Sequence, residues 1–170
     1  MNFLDLAKER YSVRKFKQKE VPQEIIDRIV EAGMVAPTGC NNQPQRVFVI
    51  KSKEALQKVY GCTRCHFEAP LIFVICYNKE ECWYRPYDGK GCGEVDASIV
   101  TTHMMMEAWE QGIGSCWVMH YKPEELRKAL ELPENLESVA LLVMGYPAED
   151  AAPFPGHSAS KKTEEIVKVL

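Results

Sequence analysis

Apolar side chains recur every three or four residues along much of this chain, which is the pattern of amphipathic helices. The clearest case lies between Pro22 and Ala36, where isoleucine, valine and methionine side chains share one face. Pro22 suits the first turn of a helix and Pro37 suits a stop. A second helix is predicted after Ser52, a favourable N-cap residue, and a short one at the start of the chain around Leu6.

Continuous apolar runs predict strands at residues 46–50 (RVFVI) and 70–77 (PLIFVICY). Because the second run does not alternate with polar residues, we expect both of its faces to be covered. Further strands are predicted at 116–120 and 139–144, and further helices at 96–111 and 123–130. The helix at 96–111 is apolar around nearly its whole circumference, as expected of a buried central helix, and Gly112 should cap its C-terminus.

Helices and strands alternate, and no repeat or linker interrupts the chain, so residues 1–170 are predicted to form one domain. The class is α/β or α+β with a central sheet. Residues 151–160 are small, polar and broken by Pro153 and Pro155, and an ordered pattern resumes at 161–170. Such a tail rarely stabilises itself, so we expect it to dock on the core or on a second subunit.

Composition and charge exclude several classes of protein. The chain is 46% hydrophobic and 26% charged, with a net charge of -3, so no basic surface for nucleic acid and no polybasic patch for a membrane is expected. No apolar stretch approaches the roughly 20 residues that span a bilayer, and the first residues are charged and amphipathic, unlike a signal sequence. We therefore expect a cytoplasmic protein.

The chain has seven cysteines, an odd number that argues against a disulfide scaffold. Cys62 and Cys65 form one CxxC, but His66 and Cys76 do not supply the second pair that a structural zinc site needs. No metal site is predicted.

Residues 10–14 (RYSVR) place two guanidiniums around the hydroxyl of Ser12. Arginine keeps its charge and offers a planar fork of donors that suits phosphate oxygens, so this segment is a candidate anion site. The alternative is that Arg10 and Arg14 are solvated side chains at a helix end, where cations are favoured. Residues 36–44 (APTGCNNQP) form a loop whose glycine and carboxamides suit the edge of a planar heterocycle, although such residues also make ordinary turns.

Five motifs in order carry a resemblance to a known family: RYSVR near the start, APTGCNNQP after the second helix, GIGSCW after the long helix, GYP after a late strand, and KKTEEIV near the end. With these motifs the chain resembles the FMN-dependent nitroreductase family from Glu9 to Val167. The resemblance implies an α+β sandwich with a central, mostly antiparallel sheet flanked by helices. It also implies an intertwined homodimer with two FMN sites at the interface and chain termini that reach across to the partner.

The resemblance also implies a cofactor site shared between subunits. Arg10 and Lys161 would hold the flavin phosphate, Arg14 would face the pyrimidine side of the ring, where positive charge stabilises the reduced flavin, and Lys162 is a weaker candidate. The implied cofactor-binding set is Arg10, Tyr11, Ser12, Arg14, Pro37, Thr38, Gly39, Asn41, Cys62, Cys65, Trp117, Val118, Met119, Ser160 and Lys161.

No catalytic side chain is required beyond the flavin. His120 is a weak candidate for a proton donor, and its alternative is a strand-end histidine bonded to backbone or solvent. Cys62 and Cys65 fall where relatives place polar donors, yet a thiol is a poor donor. Thiols beside an arginine and an electron carrier would have a lowered pKa and oxidise readily; the alternative is that they are inert packing residues.

The implied activity is hydride transfer from NADH or NADPH, through FMN, to a nitroaromatic, a quinone or a similar small acceptor. One alternative is a specialised flavin dehydrogenase or dehalogenase on the same fold. Another is a flavin-binding or redox-sensing protein without turnover, in which Cys40, Cys62 and Cys65 would act as sensors.

Overall fold

A computed structural model describes residues 2–170, so Met1 of the predicted domain lies outside the described residues. The helices are α1 Phe3–Glu9, α2 Gln23–Met34, α3 Lys53–Tyr60, α4 Gly93–Glu110, α5 Pro123–Ala129 and α6 Thr163–Ile166. The strands are β1 Gln45–Ile50, β2 Leu71–Asn78, β3 Gly114–Val118 and β4 Leu136–Gly145. None of these helices is long and apolar enough to cross a membrane.

The four strands form one sheet in the order β1-β2-β4-β3, and every neighbouring pair is antiparallel. The predicted antiparallel α+β architecture is therefore confirmed. Strands β1 and β3 lie at opposite edges, and β2 and β4 lie in the middle. A bulge between Ile75 and Cys76 of β2 shifts its register against β4.

Helices cover both faces of the sheet, which explains the unbroken apolar run of β2. Alternate β2 side chains, such as Phe73, pack in one core with α2 and α4. The side chains between them, such as Val74, pack in a second core with α3 and α5. Both residues are completely buried. The prediction that this strand is covered on both faces is confirmed.

Helix α4 begins at Gly93, three residues earlier than predicted, and ends at Glu110, one residue earlier than predicted. Gly112 adopts a left-handed conformation (φ 74°), and Ile113 N donates to Ala108 O (2.8 Å), which is the bonding of a glycine-capped helix end. The sequence predicted that α4 is buried around nearly its whole circumference. In a single chain only the side of α4 that faces the sheet and α2 is buried. Val95, on the outer side, is 55% exposed.

Strand β3 runs over Gly114–Val118, whereas the sequence predicted 116–120. It starts earlier because Gly114 pairs with Gly145 of β4, and it stops earlier because the chain turns after Val118, where Tyr121 N donates to Met119 O (3.0 Å). The tail from 152 to 170 is exposed throughout. The ordered segment predicted at 161–170 corresponds to the single turn of α6.

Candidate flavin site

The arginine segment 10–14 is fixed against the start of β3. Val13, which is fully buried, donates its N–H to Ser115 O (2.9 Å), and Ser12 forms a parallel bridge with Ser115. The close approach requires a glycine at position 114, because a Cβ there would lie 2.5 Å from Val13 Cγ2. The backbone on both sides of Val13 is therefore held rigidly, and with it the points from which Arg10 and Arg14 extend.

The two guanidiniums are left without an acidic partner. Among residues 2–170, no carboxylate lies within 4.0 Å of Arg10 or Arg14, and the only bond of the Arg14 guanidinium is to the carbonyl of Ser12 (3.3 Å). Two cations without an acidic partner fit an anionic group.

Both arginines act on the thiol of Cys116 in β3. Burial raises the pKa of Cys116, while Arg14, a hydrogen bond with the Ser12 side chain, and Arg10 oppose that rise. The same electrostatic neighbourhood includes Cys65, which raises the pKa of Cys116 further. Arg10, Arg14 and Cys65 are therefore near enough to Cys116 to act on its ionisation, and Ser12 hydrogen-bonds with it, while their contact with a flavin stays a prediction.

Cys62 does not behave as a reactive thiol. It is 4% exposed, its Sγ donates to Lys58 O (3.3 Å), and burial raises its pKa, an effect that Glu125 increases and Lys122 opposes. A thiol with a raised pKa is a weak nucleophile, so the predicted lowering is wrong for Cys62. Of the two alternatives for this residue, the structure favours the inert packing residue.

The residues after the GSCW motif separate into buried and exposed ones. The side chain of Val118 packs in the second core, so only its backbone groups are free to meet a ligand, and Trp117 is half-buried. Met119 and His120 are exposed beyond the end of β3. The carbonyl of His120 accepts a hydrogen bond from Thr63 Oγ1 (2.5 Å). The residue lines a cleft of about 570 Å³ together with the neighbouring loop 60–64.

The second predicted half of the site is the loop from Pro37 to Asn41, which contains one 3-10 turn. Cys40 and Asn41 adopt left-handed backbone conformations (φ 50° and 56°) that non-glycine residues rarely adopt. Thr38 Oγ1 accepts a hydrogen bond from Gln43 N (3.1 Å), which closes the loop. Pro37, Cys40 and Asn41 are exposed, so this loop presents them to solvent or to a ligand.

One chain does not bring the two halves together. The loop leads into β1 at Gln45, which pairs with Tyr77 at one end of the sheet. The arginine segment joins β3 at Ser115, which pairs with Met144 near the other end. Since β1 and β3 are also opposite edges, the two halves lie at opposite corners of the sheet.

The tail residues Ser160 and Lys161 are exposed. The tail nevertheless folds back on α1, because the rings of Tyr11 and His157 meet edge to face and His157 Nε2 lies 3.3 Å from Lys8 O. Lys161 is four positions after His157, and four positions span at most about 14 Å. Lys161 is therefore within reach of the end of α1, where Arg10 begins the arginine segment.

Sequence reasoning missed Asp96, which is 3% exposed and accepts a hydrogen bond from Gly39 N (2.9 Å). Its signal was a carboxylate in the first turn of a helix that is apolar around most of its circumference. The described residues, 2–170, contain no cluster of three or more histidines, cysteines or carboxylates that could hold a metal ion, and their seven cysteines are all free.

Comparison with known proteins decides the family. The nitroreductase family model matches residues 7–70 and 61–146. The chain belongs to the nitroreductase family. A crystal structure of a nitroreductase family protein from Clostridium difficile 630 is 39% identical, with a TM-score of 0.93, and the match covers 99% of this chain and 98% of that one.

Two further relatives show the same likeness. An FMN-dependent nitroreductase from Clostridium difficile R20291 is 26% identical, with a TM-score of 0.82 and 98% of each chain covered. An NADPH-dependent oxidoreductase from Staphylococcus aureus is 30% identical over 86% of this chain and 65% of its own length. The resemblance to the nitroreductase family and the fold predicted from the sequence are thus confirmed, while the individual site residues stay predictions.

Proposed function

We propose that this nitroreductase-family chain is an FMN-dependent oxidoreductase that uses NADH or NADPH to reduce a nitroaromatic, a quinone or a similar small acceptor. The observation that carries the proposal is the pair of guanidiniums without acidic partners beside β3. FMN when bound supplies the hydride chemistry, and the chain supplies binding, orientation and charge.

The residues of the arginine segment fit the phosphate and the pyrimidine side of FMN. Arg10 is half-buried and unpaired, as a phosphate ligand would be, and Lys161 is within reach of the same place. Arg14 extends from the other side of Val13 and places a second positive charge where the ring would carry negative charge.

We also propose that the functional unit is a homodimer. The arginine segment and the loop Pro37–Asn41 lie at opposite corners of one chain, so a shared flavin site requires the loop of a partner subunit. Exposed apolar side chains support this assembly: Phe3 and Leu4 on α1, Val95 on α4, and Phe154, Ile166, Val169 and Leu170 in the tail. Such side chains are available for burial against a partner chain.

The tail and the edge of the sheet offer a way to intertwine. Strand β1 is an edge strand, and an edge with unpaired backbone groups readily accepts another strand. Val167, after α6, has an extended backbone (φ -104°, ψ 130°), and the residues that follow it are exposed. An extended apolar tail and an open edge strand are complementary when two copies of the chain assemble.

Titration of apoprotein with FMN, followed by flavin fluorescence, tests the cofactor, and sedimentation velocity tests the assembly. We expect saturable binding of one FMN per chain and a dimer at micromolar concentration. A folded monomer that retains FMN would refute the shared site. A dimer that binds no FMN would refute the cofactor and leave the assembly standing. The cytoplasmic location expected from the sequence stays a prediction.

A further inference from the structure

Asp96 is a buried carboxylate with an unusual set of partners. It lies in the first turn of α4, is 3% exposed, and has no lysine, arginine or histidine partner among the ion pairs of residues 2–170. Its Oδ1 accepts the N–H of Gly39 (2.9 Å), and its Oδ2 accepts the S–H of Cys92 (3.2 Å). A buried carboxylate is costly unless it is hydrogen-bonded, so these two bonds are tightly maintained.

The loop that Asp96 holds sits directly on this part of α4. A Cβ added to Gly39 would lie 2.7 Å from Cys92 Sγ and 3.1 Å from Trp83 Cβ, so the backbone of Gly39 is in direct contact with its surroundings. A larger residue at position 39 would have to displace the Cys92 thiol or the loop. The contact therefore places the N–H of Gly39 within reach of Asp96 and fixes the distance between loop and helix.

The conformation of the loop is one that needs an external anchor. After Gly39, Cys40, Asn41 and Gln43 have φ values of 50°, 56° and 51°, in the left-handed region that costs non-glycine residues conformational energy. Three such residues within four positions persist only when the surroundings hold them. Three bonds hold the loop from outside: Gly39 N donates to Asp96 Oδ1, Asn42 Nδ2 donates to Glu81 O (3.1 Å), and Arg46 Nη1 donates to Gln43 O (3.4 Å).

We propose that Asp96 is a positioning residue for flavin binding. By holding the N–H of Gly39 it fixes the backbone from Thr38 to Asn41, and this loop presents its groups to the cofactor of the partner subunit's arginine segment. Asp96 itself is buried behind the loop and does not touch the cofactor. Cys92 orients the carboxylate through its S–H. The inference rests on the proposed function, because it assigns a role within the same site.

Two substitutions separate the hydrogen bond from the charge. Asp96→Ala removes the acceptor of the Gly39 N–H, and the loss of such a bond should weaken FMN binding about tenfold. Asp96→Asn keeps an amide oxygen that accepts the same N–H, so its dissociation constant for FMN should stay within about twofold of wild type. Rescue by asparagine would identify the bond to Gly39 as the cause.

Thr101→Val is the matched control. Thr101 is fully buried in the same helix, and its hydroxyl donates to Ala97 O (2.7 Å), away from the loop. The variant loses a buried hydrogen bond in α4 without touching Gly39, so FMN affinity should not change. A loss in Thr101→Val as large as that in Asp96→Ala would reduce the role of Asp96 to general stability and overturn the proposal.

Hydrogen exchange of the apoprotein gives a readout that does not depend on FMN. Amides of residues 38–43 should exchange faster in Asp96→Ala than in wild type, and should be unchanged in Asp96→Asn and Thr101→Val. If Asp96→Ala does not fold, Asp96→Ser, whose hydroxyl is one bond shorter than the carboxylate, replaces it with the same expected results.

The outcomes separate the two proposals. Wild type that binds no FMN contradicts the proposed function, and with it this inference. Wild type that binds FMN, with Asp96→Ala at wild-type affinity, contradicts the inference alone, whatever the loop exchange. Faster loop exchange together with tenfold weaker binding in Asp96→Ala, both restored in Asp96→Asn, supports it.

Discussion

Substitution of Arg10 by alanine should weaken flavin binding without destabilising the apoprotein. Arg10 has no carboxylate partner within 4.0 Å among residues 2–170, so no ion pair is lost when its side chain is removed. The free energy of unfolding of the apoprotein should therefore change by no more than about 0.5 kcal/mol. The substitution should therefore reduce the affinity for FMN and leave the stability of the apoprotein nearly unchanged.

The size of that cost follows from the type of bond. A hydrogen bond to a charged group contributes about 1.5 to 3 kcal/mol, and each 1.4 kcal/mol is about tenfold in affinity, so the dissociation constant for FMN should rise roughly ten- to a hundredfold. Arg10→Lys keeps the charge and loses the planar fork, so it should lie between wild type and alanine. The difference in FMN affinity between wild type and Arg10→Ala should become smaller at high salt, because salt screens the attraction between opposite charges.

Fluorescence titration of the apoprotein with FMN measures this change. Arg28→Ala is the matched control, because Arg28 is an exposed arginine on α2 that pairs with Glu107 (3.3 Å), outside the site. It makes the same change in net charge and should leave the dissociation constant unaltered. Wild-type affinity in Arg10→Ala would show that the phosphate binds elsewhere, and equal losses in both variants would show a general effect of charge.

Three further predictions concern stability and assembly. Gly33→Ala places a Cβ 2.2 Å from Met104 Cε and 2.9 Å from its Cγ, so urea unfolding should show a loss of about 1 to 3 kcal/mol, whereas Gly61→Ala, whose nearest atom is at 3.4 Å, should show almost none. Burial raises the pKa of Cys76 from 9.0 to about 12, an effect that Arg127 opposes. The protonated thiol therefore contributes its full stabilisation below pH 9, and this stabilisation is lost as the pH rises toward 12, because the unfolded chain ionises first. Urea unfolding across this range should therefore show a smaller alkaline loss in Cys76→Ala, and an unchanged slope would contradict the assignment. Val95→Glu puts a charge on the outer face of α4 and should shift the sedimentation coefficient toward monomer, while a dimer of undiminished stability would place the interface elsewhere.

The sequence predicted elements well where one physical signal dominated. The continuous run at 70–77 became β2, covered on both faces, and Ser52 caps α3 by accepting the N–H of Ala55 (3.3 Å). Gly112 ends α4 in the expected left-handed conformation. Each depends on short-range geometry or on a local run of apolar residues, which a sequence displays directly.

The sequence predicted poorly what depends on pairing across the fold. The start of β3 is set by the pairing of Gly114 with Gly145, thirty-one positions apart, and no local pattern reveals it. Cys62 and Cys65 belong to the same CxxC motif, yet the thiol of Cys62 points into the protein and donates to Lys58 O. Asp96 resembled an ordinary first-turn carboxylate until the structure showed Gly39 as its partner.

We propose that this chain accepts hydride from a nicotinamide nucleotide through bound FMN and passes it to a small acceptor. The most direct test of this activity is the visible absorption spectrum of FMN-loaded protein kept without oxygen, first with NADH or NADPH and then with a quinone or a nitroaromatic compound. We expect a yellow protein that bleaches with one of the nucleotides and regains its colour with the acceptor. A protein that binds FMN but stays yellow with both nucleotides would contradict the proposed activity and favour a flavin-binding role without turnover.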